Sequence, residues 1–117
     1  MKSEDIKDKI KNKILALASV DDAGKPHPIA VEVNDLKDNK IIITDNFMKT
    51  TIENIKESSW VSLLFWENGE GFRIDGKAEY HSSGKWFDFV KGLKENKCYS
   101  PKGAVIVNIL KIEKLAG

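Results

Sequence analysis

A single cysteine, Cys98, means that no disulfide can form within the chain. It belongs to no Cys-x-x-Cys pair, and the two histidines, His27 and His81, are too far apart for a His-x-x-x-His site, so no metal site is expected. No base accompanies Cys98 in the sequence, and the residue reads as an inert, half-buried thiol. Arginine is nearly missing as well, Arg73 being the one guanidinium in the chain. The 19 Lys and Arg residues almost balance 18 Asp and Glu, and a formal net charge of +1 argues against the broad basic face of a dedicated nucleic-acid binder. Long apolar runs are absent: "AVIV" and "LLFW" fall far short of the roughly 20 residues that span a bilayer. The opening "MKSEDIKDKIKNKI" is charged throughout and offers no apolar signal-peptide core. A cytoplasmic protein with no membrane association is expected. Neither a glycine-rich dinucleotide loop nor a G-x-x-x-x-G-K signature occurs.

What is present describes a folded chain. Hydrophobic residues make up 41% and charged residues 32%, which is neither a disordered nor a membrane composition. At 117 residues the chain is a single domain, 1–117, with little surface to spare for a deep private pocket.

The hydrophobic pattern orders the elements. Ile6 and Ile10, four apart among charges, predict a short amphipathic helix within Lys2 to Lys13. "KILALASV" and "HPIAVEV" read as two strands joined by the turn residues of "DDAGKP", with Pro28 implying an edge position. "KIIIT" is a third strand after the loop "NDLKDN". A helix from about Met48 to Glu57 buries Ile52 and Ile55. "SWVSLLFWE" and "FRIDGKAEYH" are further strands, the second placing Phe72, Ile74, Gly76, Ala78 and Tyr80 on one side. "SGKWFDFVKGLKEN" reads as a full helix capped by Ser83, with Trp86, Phe87, Phe89, Val90 and Leu93 as its buried stripe, and "GAVIVNILKIEKL" closes the chain as a long strand. Trp60 is assigned to the core with this stripe. Six strands, two or three helices and hairpin-length loops predict a mainly β fold, an antiparallel barrel with helices outside it.

One stretch carries chemistry. "TDNFMKTTIENI", Thr44 to Ile55, surrounds a helix start with Lys49 and several hydroxyls. Thr50 and Glu53 have capping-box spacing. The same unpaired N–H groups and positive dipole end would also seat an anion. Spacing alone favours the cap, and the anion reading stays open beside it.

The pieces "ILALASVDDAGKPHPIAV", "IIITDNFMKTTIENIKESSWVSLLFW", "FRIDGKAEY" and "KGAVIVNILKIEKL", in this order, resemble the small members of the pyridoxamine 5′-phosphate oxidase-like family, the FMN-binding split barrels. The resemblance implies a six-stranded split barrel that forms a homodimer, with FMN in each of two clefts between subunits. It implies a flavin ring along Ile29, Ala30, Val31 and Glu32, and a phosphate near Thr44, Lys49, Thr50 and Thr51. Asn54 matches the family's recurrent Asn in this helix and is expected to brace the fold. Here Thr50 stands where the family commonly has a basic residue, and the charge falls one position earlier at Lys49. Asp45 is expected close enough to repel a phosphate dianion by about 1 kcal/mol at surface dielectric. Trp66 offers a flat face for a flavin, and also reads as core or dimer interface. Nothing pairs a nucleophile with a base, so an enzyme here would be an FMN-dependent oxidoreductase in which the flavin carries the chemistry. Two other readings stay open: a deazaflavin or haem carrier using the same cleft, and a non-catalytic dimeric domain that has lost its ligand.

Overall fold

A computed structural model describes residues 1–117. The elements are α1 (Ser3–Ile10), β1 (Ile14–Val20), β2 (Pro26–Glu32), β3 (Asp35–Lys37), β4 (Lys40–Asp45), α2 (Thr50–Glu57), β5 (Trp60–Glu67), β6 (Glu70–His81), α3 (Lys85–Lys91), a 3-10 turn (Lys94–Asn96) and β7 (Gly103–Ala116). The strands form one antiparallel sheet in the order β2-β1-β5-β6-β7-β4-β3. The sheet curls until its two ends approach, where the Asn34 N–H donates to the Ile42 carbonyl at 2.9 Å. The result is the antiparallel barrel that the element order predicts and the split barrel that the resemblance implies, with seven strands in place of six. The additional strand is β3, inside "NDLKDN". Asp38 and Asn39 both take positive φ (51° and 65°), which is the geometry of a two-residue hairpin, and β3 pairs back on β4 through it.

Alternation decides which side chains fill the barrel. Val61, Leu63 and Phe65 of β5 point in, as do Phe72, Ile74 and Ala78 of β6, and Phe65 stacks on Phe72 with centroids 4.7 Å apart. Ile6 and Ile10 of α1 are fully buried against this core, as the four-residue spacing predicts. Ile52 and Ile55 of α2 join it, and the Asn54 amide donates to the buried Ser19 hydroxyl at 3.0 Å, tying α2 to β1. The long β7 keeps its register with β6 by expelling two residues. Pairing skips Leu110 and Leu115, and both are exposed.

Several expectations are corrected. Trp60 is 51% exposed, because the alternation that buries Val61 turns its neighbour outward, and the Lys77 ammonium lies 4.9 Å from its ring. The second long helix ends at Lys91, since Gly92 stops it and the chain continues into the 3-10 turn; its N-cap is Gly84, at φ 88°, where Ser83 was expected. Only Val90 of its stripe is fully buried. Trp86, Phe87, Phe89 and Leu93 are partly covered, packing on a small outer cluster of Ile42, Ala104 and Ile106. Cys98 is exposed, carried on the loop after the 3-10 turn. No helix is long and apolar enough to cross a membrane, and no cluster of His, Cys, Asp and Glu has the composition of a metal site.

Candidate functional site

β2 lies at the edge of the sheet, hydrogen-bonded to β1 on one side only. Alternate backbone N–H and C=O groups of an edge strand face away from the ladder and are free for another partner. Beside that free edge is a cleft of about 580 Å³, within the roughly 300–1,000 Å³ of small-molecule sites. Ile29, Ala30, Val31 and Glu32 line it from β2, and Thr44, Lys49, Thr50 and Thr51 line it from the end of β4 and the start of α2. Two segments more than ten residues apart in sequence therefore meet around one space. Trp66 alone of the predicted site residues lies elsewhere. It is 61% exposed on the outer face of β5, and its ring covers Gly71, where any Cβ would stand 2.1 Å from the indole.

The start of α2 is set by Asp45. Its carboxylate accepts the Met48 N–H at 2.8 Å and the Tyr80 hydroxyl at 2.7 Å, while its carbonyl accepts the Lys102 N–H at 2.8 Å. A Cβ at Gly103 would fall 2.5 Å from the Tyr80 ring, so this glycine is what allows the tyrosine to reach Asp45. Burial, then the hydrogen bond to Asp45 and that carboxylate's charge, push the Tyr80 phenol from 10.0 up to about 12. Asp45 is 1% exposed and does not line the cleft. The expected repulsion of a phosphate is thus replaced by a structural role, because both carboxylate oxygens are turned onto donors behind the site.

The capping box is not formed. Lys49 is the N-cap residue and no side chain caps the helix. Its first hydrogen bond runs from Glu53 N–H to the Lys49 carbonyl at 3.1 Å, leaving the N–H groups of Thr50, Thr51 and Ile52 without helical partners. The Thr50 and Thr51 N–H groups, the Lys49 ammonium and the Thr51 side chain form a basic, donor-rich end of the cleft. The Thr44 hydroxyl differs from them. It donates to Asn34 Oδ1 at 2.7 Å and accepts from Asn96 Nδ2 at 2.8 Å, so its one proton is committed to the floor of the cleft.

That floor, and the wall opposite β2, escaped the sequence reading. Asn96, buried in the 3-10 turn, donates to the Val90 carbonyl at 2.7 Å as well as to Thr44. The buried Asn34 donates to Glu95 Oε2 at 3.2 Å, completing a chain Glu95–Asn34–Thr44–Asn96. Phe47 and Tyr99 meet edge to face at the rim, with centroids 5.8 Å apart. Asn46 Oδ1, also lining the cleft, is buried with no hydrogen-bond partner, an acceptor in want of a donor. Asn34, Asn46 and Asn96 carry no periodic signal, and only the tertiary fold gathers them.

Comparison with known proteins agrees with this architecture. Residues 3–108 match the pyridoxamine 5′-phosphate oxidase family, and the chain belongs to that family. An uncharacterized protein of Methanocaldococcus jannaschii is 30% identical over 121 residues, an alignment that spans 97% of this chain and 80% of the relative. The crystal structure of HupZ from Group A Streptococcus superposes with a TM-score of 0.89 at 24% identity, covering 100% of this chain and 96% of HupZ. An FMN-binding protein from Syntrophomonas wolfei superposes with a TM-score of 0.77 at 20% identity, covering 97% and 88% of the two chains.

Proposed function

We propose that this chain is an FMN-binding flavoprotein, an oxidoreductase or electron-transfer protein that works as a homodimer with FMN in each inter-subunit cleft. The observation that carries the reading is the joining, in one cleft, of the free edge of β2 and the uncapped, lysine-bearing start of α2. The residues fit the cofactor's chemistry. Lys49, Thr51 and the free N–H groups of α2 suit a phosphate, which needs donors and positive charge. The backbone of Ile29 to Glu32 suits a flat ring whose pyrimidine edge both donates and accepts hydrogen bonds. Asn46 supplies an unused acceptor for a hydroxyl of the ribityl chain. Membership of the family and the fold shared with an FMN-binding protein support the same assignment. When bound, the flavin supplies hydride or electron transfer, and the chain holds it, orients it and excludes water.

The dimer is supported by the outer face of β2, β1 and β5. Ile14 is 65% exposed there, Leu64 is 45% exposed, and Ala16, Ala30 and Trp66 continue the same apolar surface. A chain this small seldom leaves such a patch uncovered. Ala30 belongs both to this face and to the cleft, so a partner seated on it closes the cleft's open side, and Trp66 meets the partner instead of its own cleft. The test is to purify the protein, record its visible spectrum and identify any released chromophore by mass. A flavin spectrum with FMN bound at one per chain is expected. A colourless protein that takes up no added FMN contradicts the reading.

A further inference from the structure

His27 is the one histidine that lines the cleft, and its ring makes no hydrogen bond and no ion pair, whereas His81 is occupied by Glu79 at 3.2 Å. Alternation along β2 fixes its side. His27, Ile29 and Val31 are the covered positions, and Pro28 and Ala30 the exposed ones. Across the ladder His27 opposes Ser19 of β1, which is 1% exposed, and opposed side chains share one face with Cβ atoms about 4.5 to 5.5 Å apart. The Ser19 hydroxyl accepts the Asn54 amide at 3.0 Å. Asn54 in turn lies one turn beyond Thr51 on the same face of α2, because helix residues at that spacing are neighbours. A continuous path His27–Ser19–Asn54–Thr51 thus joins the edge strand to the first turn of α2, and both of its ends line the cleft. His27 belongs to the Lys49 end. Glu32 stands at the far end of β2, roughly 16 Å from His27 at about 3.3 Å per residue, and Glu95 is held by Asn34, past that end. Around His27, β1 carries no charge, the hairpin carries Asp21, Asp22 and Lys25, and α2 brings Lys49 and the exposed Glu53. The Asp21 carboxylate is turned onto the Ala23 and Lys25 N–H groups at 2.9 and 2.8 Å. Tyr99 completes the ionisable groups of the cleft. Carboxylates and ammonium groups keep their charge between about pH 5.5 and 8.5, and a histidine does not.

We propose that His27 is the proton-dependent member of the phosphate seat: as an imidazolium it pairs with the phosphate held by Lys49, Thr51 and the first N–H groups of α2, and as a neutral imidazole it does not. This deepens the flavin reading by making affinity for FMN a function of pH, and it rests on that reading for the identity of the ligand alone. Two protons govern the outcome. A phosphate monoester takes its second negative charge near about pH 6, while the histidine loses its positive charge as pH rises further. Affinity for FMN therefore peaks where dianion and imidazolium coexist and falls on the alkaline side. Riboflavin, without the phosphate, has no such fall.

The test titrates FMN and riboflavin into the full chain at several pH values between about 5.5 and 8.5, and follows the ring signals of His27 by NMR with FMN, riboflavin or inorganic phosphate present. Affinity for FMN is expected to fall about tenfold from about pH 6.5 to about pH 8.5, the lower end of what one charge-assisted contact supplies, with riboflavin unchanged. His27→Gln should abolish the fall. His27→Lys, a cation throughout this range, should retain tight binding of FMN at the alkaline end, and His81→Gln should behave as the parent chain. By linkage, FMN and inorganic phosphate should each move the titration of His27 to higher pH, and riboflavin should leave it in place. An alkaline fall that survives His27→Gln, an equal fall for riboflavin, or a His27 titration that no phosphate moves overturns the assignment. A chain that takes up no FMN at any pH, but whose His27 responds to inorganic phosphate, upholds the histidine's role and removes the flavin reading alone.

Discussion

The two walls of the cleft are built on different principles. One is regular structure, the free edge of β2 and the first turn of α2, and it presents mainly backbone groups with Lys49 and Thr51. The other is irregular, the 3-10 turn and the loop up to Tyr99, and it presents side chains: a carboxylate, an amide and an aromatic ring. Regular elements fix their backbone donors as a consequence of folding, which suits a phosphate and a ring edge. An irregular segment must be held in place by specific bonds and can carry more individual chemistry. Each wall has one such anchor behind it, Asp45 for the first and Asn96 for the second.

The comparison breaks most visibly at Asn96. Asn96→Ala leaves the Val90 carbonyl without its buried donor and is expected to cost about 2 to 3 kcal/mol in urea unfolding, with the Glu95 wall loosened while the α2 wall keeps its hydrogen-exchange protection. The corresponding cut on the other side is Tyr80→Phe, which deprives the buried Asp45 of one donor and is expected to cost about 2 kcal/mol. It has a pH signature too. A phenol raised from 10.0 to about 12 in the fold contributes stability that is fully present below pH 10 and is lost as pH rises through about 12. Tyr80→Phe should therefore unfold with a flatter alkaline limb than the parent chain. Phe89→Ala, behind the irregular wall, is expected to cost only about 1 to 2 kcal/mol, less than a fully buried phenylalanine, because α3 covers the sheet from outside and leaves its ring partly exposed. A loss above that range would mean that α3 is more deeply packed than its exposure indicates. The smallest effect belongs to Thr50→Ala, expected to change stability by less than about 0.5 kcal/mol, since Thr50 makes no cap.

This contrast also explains what the sequence could yield. Period-two and period-3.6 patterns located α1, the major strands and α2, and the resemblance joined Ile29 to Glu32 with Thr44 to Thr51 although no local signal links them. The irregular wall has no period. Nothing in "KENKCYS" marks Asn96 as buried or Glu95 as held by Asn34, because both facts depend on a hydrogen-bond chain whose members are 52 and 61 residues apart. The same limit misplaced Asp45: from its position alone it is a neighbouring charge, and only Tyr80, 35 residues away, makes it an anchor. β3 was legible in principle, since "KDNK" has the residues of a two-residue hairpin, but a three-residue strand is too short to show alternation.

The central claim, that the start of α2 seats the phosphate of FMN, is tested most directly by titrating FMN and riboflavin, which lacks the phosphate, against the parent chain and the double variant Lys49→Ala with Thr51→Ala. After correction for any unfolded fraction, the variant is expected to lose about one to two powers of ten in affinity for FMN, the value of one charge-assisted contact, with riboflavin nearly unaffected. Equal losses for the two flavins would contradict the account and reduce "TDNFMKTTIENI" to a helix start.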